Sequence, residues 1–401
     1  MSFFDSLNLL QPDPIFGLTD AFAADRRFNK VNLGAGTYKD AKGAPFVLSC
    51  VKAAEAQILG LNLNKEYLPI SGDRAYLAES LKLIIGEELG AKLGGNVFGV
   101  QTIGGTSALR MGAECLIQAG HKKIFLPNPT WPNHLNIFTR AGMLVHTYPY
   151  YDAKKRQIDF PALTQAVQDM QAGDVIILHA CCHNPTGLDP SMEQWKELSA
   201  LIKTQKVFPF FDLAYLGFGS GLDVDAQPVR HFAEQGHEMF IGLSYSKNFG
   251  LYGERIGALA MVAKTPEIAL KTESHLKSLI RANYSNPPLH GERIITTILQ
   301  SNLKQVWIDE LGSMRQRIEE MRRALVEGLT KCSTLVDYSF IGQQKGMFSF
   351  TGLQPEEVQR LRVEYGIYMP ADGRINVAGL NPQNIDYVMG ALANTLQKTP
   401  R

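Results

Sequence analysis

The middle of the chain alternates short apolar runs with longer segments of helical periodicity, and this alternation restricts the fold most. The apolar runs cover residues 97–102, 123–126, 174–179, 207–211, 239–243 and 256–262. Segments such as 106–119 and 192–204 lie between them, and their apolar residues recur at helical spacing. Continuously apolar strands that alternate with helices indicate a mostly parallel sheet covered by helices on both faces. The sequence therefore predicts an α/β fold.

The C-terminal third has a different pattern. A long, charged, amphipathic helix is expected from about Leu303 to about Thr330, followed by short strands near 348–351 and 374–377 and by two helices. A chain of 401 residues suits a large domain plus a smaller one. We therefore predict a second domain that starts within the long helix. The opening segment, to about Gly43, is predicted to be extended because it is rich in Pro and Gly.

Composition, net charge and the N-terminal sequence argue against a nucleic-acid-binding, secreted or membrane-spanning protein. Hydrophobic residues make up 45% of the chain and charged residues 20%, as in ordinary globular proteins, and the net charge of +1 favours neither nucleic acid nor an anionic membrane. The N-terminus lacks the features of a signal peptide, and the longest apolar runs are far too short to span a membrane. The five cysteines are scattered and odd in number, which favours reduced thiols: Cys50, Cys115, Cys181, Cys182 and Cys332. We expect a soluble, cytoplasmic protein.

Lys247 stands just past an apolar strand, between two serines and Arg255. Lysine forms Schiff bases, and pyridoxal phosphate (PLP) carries both an aldehyde and a phosphate. This segment could hold that cofactor covalently by the amine of Lys247, and its phosphate by Ser244, Ser246 and Arg255. A serine hydrolase is a weaker alternative, because the pattern G-x-S-x-G that begins at Gly242 fails at Ser246.

Other polar segments also follow predicted strands, at the sheet edge where open α/β folds bind ligands. Gly104-Gly-Thr-Ser107 opens a helix and suits a phosphate, although an ordinary capped turn would look the same. Asp212 could supply the anion that a PLP ring needs at its pyridine nitrogen, or it could cap a helix. Tyr215 could reach the phenolic oxygen of the ring, or it could simply pack.

Two further strand ends carry candidates for the ring. Asn184 lies in the turn Asn-Pro-Thr-Gly and could donate to the phenolic oxygen, while Trp131 could stack on the ring or pack in the core. Cys181, Cys182 and His183 form a rival metal set. We disfavour a metal because adjacent strand residues point to opposite faces and the chain lacks paired C-x-x-C spacing.

Two arginines complete the pattern. Arg281 lies near a probable helix end before two prolines, and Arg374 begins an apolar strand of the second domain. Arginine binds carboxylates bidentately, so the pair could hold a substrate with two carboxylates. The alternative is that both are ordinary surface arginines.

Together these segments resemble the class I aminotransferases, in the branch of the aspartate and aromatic aminotransferases. The likeness runs from Asp13-Pro-Ile to Asn376-Val-Ala-Gly379 and includes Asn32-Leu-Gly-Ala-Gly36, Asn128-Pro-Thr-Trp-Pro-Asn-His134, Cys-Cys-His-Asn184-Pro-Thr-Gly and Ser-Tyr-Ser-Lys247-Asn-Phe-Gly. It implies the PLP-dependent transferase fold (fold type I), with a mostly parallel seven-stranded sheet in a large PLP-binding domain. It assigns residues 46–312 to that domain, and residues 1–45 and 313–401 to a smaller α/β domain that closes over the substrate.

The resemblance also implies a role for each cofactor residue. Lys247 would carry PLP covalently and shuttle a proton, and Asp212 would hold the pyridinium. Tyr215 and Asn184 would hold the phenolic oxygen, and Trp131 would stack on the ring. The phosphate would be held by Gly105, Thr106, Ser244, Ser246 and Arg255, with Tyr67 reaching in from a second subunit. No metal is expected.

Substrate binding follows from the same resemblance. Arg374 and Gly36 would bind the α-carboxylate side of the substrate, beside Trp131 and Asn184. Arg281 would come from the neighbouring subunit and bind the distal carboxylate, which makes a homodimer necessary.

We expect transfer of the amino group of L-aspartate to 2-oxoglutarate by a ping-pong route. An aromatic aminotransferase is the first alternative, since it shares all the cofactor residues; Lys39, Thr106 and Asn286 favour the aspartate branch weakly. A PLP lyase or decarboxylase is the second, and the two arginines argue against it.

The chain departs from the family pattern at two places. Gly104 stands where relatives can carry serine, which removes a hydroxyl but keeps the backbone donors. Met369-Pro-Ala-Asp-Gly373 replaces a small, serine-containing run just before Arg374. Its proline and its aspartate are expected to alter domain closure or substrate affinity modestly.

Overall fold

The computed structural model describes residues 2–10, 13, 15–332 and 337–397. The helices are α1 (Phe16–Ala24), α2 (Ser49–Gly60), α3 (Arg74–Ile85), α4 (Glu87–Leu93), α5 (Gly105–Gln118), α6 (Asn133–Arg140), α7 (Phe160–Asp169), α8 (Met192–Gln205), α9 (Leu222–Glu234), α10 (Pro266–Asn283), α11 (His290–Leu299), α12 (Leu303–Cys332), α13 (Pro355–Tyr365) and α14 (Ile385–Gln397). The strands are β1 (Val31–Asn32), β2 (Val97–Thr102), β3 (Lys123–Asn128), β4 (Leu144–Pro149), β5 (Tyr151–Asp152), β6 (Gln157–Ile158), β7 (Val175–His179), β8 (Phe208–Leu213), β9 (Met239–Ser244), β10 (Gly257–Val262), β11 (Phe348–Phe350), β12 (Ile367–Tyr368) and β13 (Arg374–Asn376). Three short 3₁₀ helices cover Gly94–Asn96, Ser339–Gln343 and Val377–Gly379.

Seven strands form the central sheet, in the order β2-β10-β9-β8-β7-β3-β4. The strands from β9 to β4 pair in parallel, whereas β10 runs antiparallel to both of its neighbours. Every residue of β7, β9 and β10 is buried, as a sheet covered on both faces requires. The predicted α/β fold with a mostly parallel seven-stranded sheet is confirmed.

All six apolar runs form strands of this sheet, but the edge strand β4 was not predicted. Only Tyr148 of its six residues is buried. An edge strand faces solvent along one side, so it needs no continuous apolar run and gives no such signal in the sequence.

The predicted pattern of the C-terminal third is confirmed, with α12 followed by β11, α13, β13 and α14. Strand β12 pairs in parallel with β1, and β13 pairs with β11. The pairing of β1 with β12 brings the N-terminal segment against the C-terminal third of the chain.

The expectation of an extended opening segment is wrong at α1. This helix follows an N-terminal turn in which the Asp13 carboxylate accepts the N–H of Ile15. Its sequence, FGLTDAFAA, contains three alanines and no proline, so helix propensity prevails there.

None of the helices in the described part of the chain combines the length and the apolar character needed to cross a membrane. Four cysteines are free and buried: Cys50, Cys115, Cys181 and Cys182. The sulfur of Cys332 lies outside the described atoms.

Candidate active site

Polar side chains gather where the parallel strands end. The register pairs His179 at the end of β7 with Asp212 near the end of β8, and Asp212 in turn with Gly242 of β9. Lys247 is the third residue after the end of β9. These polar residues therefore lie together at the carboxyl edge of the sheet, as the sequence predicted.

The amine of Lys247 lies over the ring of Tyr215, with Nζ 5.0 Å from the ring centroid. Desolvation on burial lowers the pKa of this amine to about 8; Arg255 and Arg374 contribute in the same direction, and Asp212 opposes them. An amine with a lowered pKa is neutral more often near pH 7, and the neutral form is the nucleophile that attacks a carbonyl carbon. Lys247 is thus suited to covalent bonding with an aldehyde.

Asp212 provides a fixed negative charge beside this amine. Burial raises the pKa of its carboxyl, but a hydrogen bond from His134 Nε2 to Oδ2, 3.0 Å long, and the nearby charges prevail and leave the pKa below its ordinary value. The side chain therefore stays a carboxylate although only 12% of it is exposed. An ionised carboxylate in such a site can hold a protonated ring nitrogen.

A chain of hydrogen bonds behind Asp212 fixes the tautomer of His134. The N–H of Asn184 donates to His179 Nδ1 at 3.1 Å, and burial lowers the pKa of His179 to about 3, so this neutral ring carries its proton on Nε2. Nε2 lies 3.4 Å from Thr130 Oγ1, which lies 2.8 Å from His134 Nδ1. If each group donates in turn, His134 holds its proton on Nε2 and donates it to Asp212.

The roles of His134, Thr130 and His179 in these hydrogen bonds were not predicted from the sequence. The usable signal was position: Thr130 and His134 flank Trp131 in a segment that follows β3, the strand next to β7. Helix α6 starts at Asn133, so His134 lies in its first turn, and its ring reaches Asp212 near the end of β8.

The loop between β2 and α5 forms a cradle for an anion. Gly104 has φ 86°, a backbone conformation that favours glycine, and a Cβ on it would lie 2.5 Å from Arg255 Nη2, so a larger residue would strain the turn and shift this guanidinium. Arg255 Nη1 donates to Ser246 Oγ at 3.4 Å, and the N–H of Ser246 donates to Ser244 Oγ at 3.3 Å. The guanidinium, two hydroxyls and the N-terminus of α5 suit a phosphate.

Gly105 and Thr106 form the first turn of α5, where backbone N–H groups have no helical acceptor. A Cβ on Gly105 would lie 3.0 Å from the Cβ of Ser244, so the helix start and the serine loop approach closely. The ring of Trp131 makes an edge-on contact with the ring of His134, the partner of Asp212, and the two ring centroids lie 5.3 Å apart.

Arg374 is a buried cation with a donor to spare. It is 2% exposed, its Nη2 donates to the carbonyl of Gly34 at 2.8 Å, and its Nη1 donates to Asn184 Oδ1 at 3.3 Å. Its Nε has no hydrogen-bond partner among the described residues. Its guanidinium lies 4.2 Å from the ring centroid of Phe348. Gly36 faces the same ring, since a Cβ added to Gly36 would lie 3.5 Å from Phe348 Cζ. A carboxylate ligand would satisfy this group.

Tyr67 and Arg281 lie apart from these residues, on the surface of the chain. Tyr67 is 88% exposed, and Arg281 is exposed in the last turn of α10, where it donates to Ser285 Oγ. Asn286 Nδ2 donates to the carbonyl of Leu68 at 2.8 Å, so the two segments that carry them are tied together.

The expectation that Cys181 and Cys182 point to opposite faces of a strand is wrong. β7 ends at His179, and Cys182 has φ 52°, so these cysteines do not alternate as strand residues do. The two cysteine sulfurs and an oxygen of Asp225 lie within 4.8 Å of one another. His183 does not belong to this group, because its Nδ1 forms a hydrogen bond with Thr186 Oγ1. The carboxylate of Asp225 already accepts the N–H groups of three residues, Gly217, Gly219 and Ser220.

Known proteins resemble this chain along nearly its whole length. The family aminotransferase class I and II matches residues 29–392. The mitochondrial aspartate aminotransferase of Xenopus tropicalis is 47% identical over 98% of this chain and 92% of that protein, and the aspartate aminotransferase of Escherichia coli K12 is 44% identical over 98% and 100%. The crystal structure of an aromatic-amino-acid aminotransferase from Burkholderia pseudomallei, covalently bound to pyridoxal phosphate, superposes with a TM-score of 0.96 at 44% identity, over 99% of this chain and 100% of that one. This chain belongs to the class I and II aminotransferases.

Proposed function

We propose that the protein is an aspartate transaminase that uses pyridoxal phosphate to move the amino group of L-aspartate to 2-oxoglutarate. The observation that carries this proposal is the presence in one site of Lys247, an amine of lowered pKa, and of Arg374, a buried guanidinium whose Nε has no hydrogen-bond partner among the described residues. An amino acid presents an α-carboxylate next to its reacting carbon, so a site for it needs both groups. Relatives named aspartate aminotransferase, 44–47% identical to this chain, support the choice of substrate.

The donor set fits the cofactor. Lys247 would hold its aldehyde carbon and Asp212 its ring nitrogen, while Tyr215 and Asn184 would hold the phenolic oxygen and Trp131 would stack on the ring. Its phosphate would be held by Gly105, Thr106, Ser244, Ser246 and Arg255. When bound, pyridoxal phosphate supplies an electron sink for the negative charge that develops at the substrate α-carbon.

The protein's own residues do the rest of the chemistry. Lys247 Nζ accepts the proton that leaves the substrate α-carbon and gives it up again later in the reaction, for which a pKa of about 8 is well matched to neutral pH. Arg374 binds the α-carboxylate and so directs the α-proton towards Lys247, with Gly36 leaving room beside it. Asp212, held by His134, keeps its charge throughout.

We propose that the enzyme is a homodimer with shared active sites, in which Arg281 and Tyr67 serve the site of the partner. Their exposure supports this arrangement, since neither is used by its own chain's Lys247 cluster. Apolar side chains lie exposed near Tyr67 in the chain: Leu59, Leu61 and Leu63. A second copy would cover them and remove them from water.

We also propose a division of the chain into two domains and a cytoplasmic location. We place the large domain at residues 46–312 and the small one at 1–45 and 313–401, supported by the pairing of β1 with β12 and by the length of α12. Four buried free thiols accord with a reducing, cytoplasmic location.

Substitution of Asp212 by Asn should lower kcat by at least about 100-fold with the cofactor still bound, because the charge at the ring nitrogen is lost. The amide keeps the shape and can still accept a hydrogen bond from His134. Steady-state kinetics at saturating cofactor measure this. Asp223→Asn, which changes an exposed aspartate of α9, is the control and should match the wild type. A near wild-type kcat in Asp212→Asn enzyme would refute the role.

The choice of substrate is tested by kcat/KM for aspartate and phenylalanine, each with 2-oxoglutarate. Aspartate should be preferred by at least about tenfold, because a second carboxylate gains a charge-assisted contact with Arg281. The structural match to the Burkholderia aromatic-amino-acid aminotransferase favours aromatic amino acids as the second candidate. A preference for phenylalanine would establish that alternative.

A further inference from the structure

The turn just before Arg374 holds the backbone of that residue in place. Gly373 N–H donates to the carbonyl of Pro370 at 3.1 Å, which closes a four-residue turn. Asp372 Oδ1 then accepts the N–H of Arg374 at 3.0 Å, an aspartate turn that spans two residues. Thr351 Oγ1 donates to the carbonyl of Gly373 at 2.7 Å and fixes the turn to the neighbouring segment. The main chain of Arg374 is therefore oriented by Asp372.

The same turn also supports the guanidinium end of Arg374. The Pro370 ring lies against Gly34, since a Cβ on Gly34 would come 3.6 Å from Pro370 Cδ. The carbonyl of Gly34 accepts Arg374 Nη2 at 2.8 Å. One short turn thus sets both ends of the side chain that we assign to the substrate α-carboxylate.

Asp372 also carries a negative charge two residues before Arg374 in the chain. Its side chain is exposed, and it bonds the main chain of Arg374; among the described residues, no ion pair joins its carboxylate to the guanidinium. The charge nevertheless acts on the guanidinium, since burial lowers the pKa of Arg374 while Tyr215 and Asp372 oppose this shift. A carboxylate bound at Arg374 would be repelled by Asp372 across a solvent-screened gap.

We propose that Asp372 is a positioning residue with two opposed effects: its oxygen orients Arg374 through the main chain, and its charge weakens binding of every substrate α-carboxylate. This inference rests on the proposed function, because it concerns the carboxylate site of that reaction. The α-carboxylate is present in both the ground state and the transition state, so the charge raises KM and leaves kcat nearly unchanged.

Asp372→Asn separates the two effects, because the amide keeps an oxygen acceptor for the N–H of Arg374 and loses the charge. At low ionic strength, KM for aspartate and the inhibition constant of succinate, an unreactive dicarboxylate, should both fall by roughly threefold to tenfold, while kcat stays within twofold. The ratio of variant to wild-type KM should approach one at about 0.5 M salt, where charges more than a few ångströms apart are screened. A purely structural role would not respond to salt in this way.

Asp372→Ala removes the acceptor as well, so it should lose at least part of the gain in affinity that Asn brings. Asp169→Asn is the matched control: it removes one exposed aspartate charge at the end of α7, which leads to the amino edge of the sheet, away from the site. Its constants should match the wild type. KM and succinate inhibition within twofold of wild type in Asp372→Asn, or weaker binding, would overturn the inference.

Failure of the proposed function would look different. If the wild-type protein turned over phenylalanine and not aspartate, the substrate assignment would be wrong. The Asp372 inference would still be tested, because phenylalanine carries the same α-carboxylate and its KM should fall to the same extent. A change that affects aspartate alone would contradict the inference, since it would place the effect at the distal carboxylate.

Discussion

Substitution of Lys247 by alanine should abolish nearly all transaminase activity, with kcat reduced by at least about 10⁴-fold, while the protein stays folded. Alanine removes the nucleophile that bonds the cofactor and the base that moves the α-proton. The side chain lies over the Tyr215 ring and is partly exposed, so its loss removes little packing from the core. Circular dichroism and thermal unfolding should accordingly resemble those of the wild type.

The covalent role of Lys247 is checked by borohydride reduction of the yellow holoenzyme, followed by peptide mapping. The reduced cofactor should be found on the peptide that contains Lys247. Lys247→Ala protein should still retain cofactor, because the Arg255 and Ser246 cradle and Asp212 remain, yet nothing should be fixed by borohydride. Lys196→Ala, on the exposed face of α8, is the control with full activity and normal labelling. Label on any other lysine would show that the assignment is wrong.

Much of this site could be predicted because its parts are short segments at strand ends. Lys247, Asp212 and Asn184 each follow an apolar run, and parallel strands bring their carboxyl ends to one edge whatever the lengths of the helices between them. The helix start at Gly105 was visible for the same reason. Local sequence and sheet topology together determine these positions.

The parts that could not be predicted depend on contacts between segments distant in sequence. The tautomer of His134 follows from Thr130 and His179, which lie on different loops, and no periodicity encodes it. The space above Gly104 is needed because Arg255, far along the chain, occupies it. The edge strand β4 was missed because solvent exposure leaves it without an apolar run.

A residue that serves the neighbouring subunit is the extreme case of this problem. Arg281 and Tyr67 look like ordinary surface side chains in a single chain, and only a second copy would give them a function. The hydrogen bond from Asn286 to Leu68 joins the two segments that carry them.

Arg281→Asp should lower kcat/KM for aspartate by about two to four decades, because a charge-assisted contact to the distal carboxylate is replaced by repulsion. Neutral amino acids should lose little and cationic ones should gain, since they lack that carboxylate. Arg374→Ala should instead impair every amino acid, because all of them share the α-carboxylate. Arg281 is exposed and bonds only Ser285 among the described residues, so its substitution should not unfold the chain.

Action across the interface is tested by mixing two inactive proteins, Lys247→Ala and Arg281→Asp, under conditions where subunits exchange. In a mixed dimer, one site combines an intact Lys247 with the intact Arg281 of the other subunit, so aspartate activity should return to about a quarter of the wild-type level if pairing is random. Lys247→Ala mixed with Arg374→Ala is the matched control. Arg374 serves its own chain's site, so every mixed site lacks one of the two residues and no activity should return. Differently tagged subunits report exchange; if exchange is complete and the first mixture stays inactive, Arg281 does not act on the partner's site.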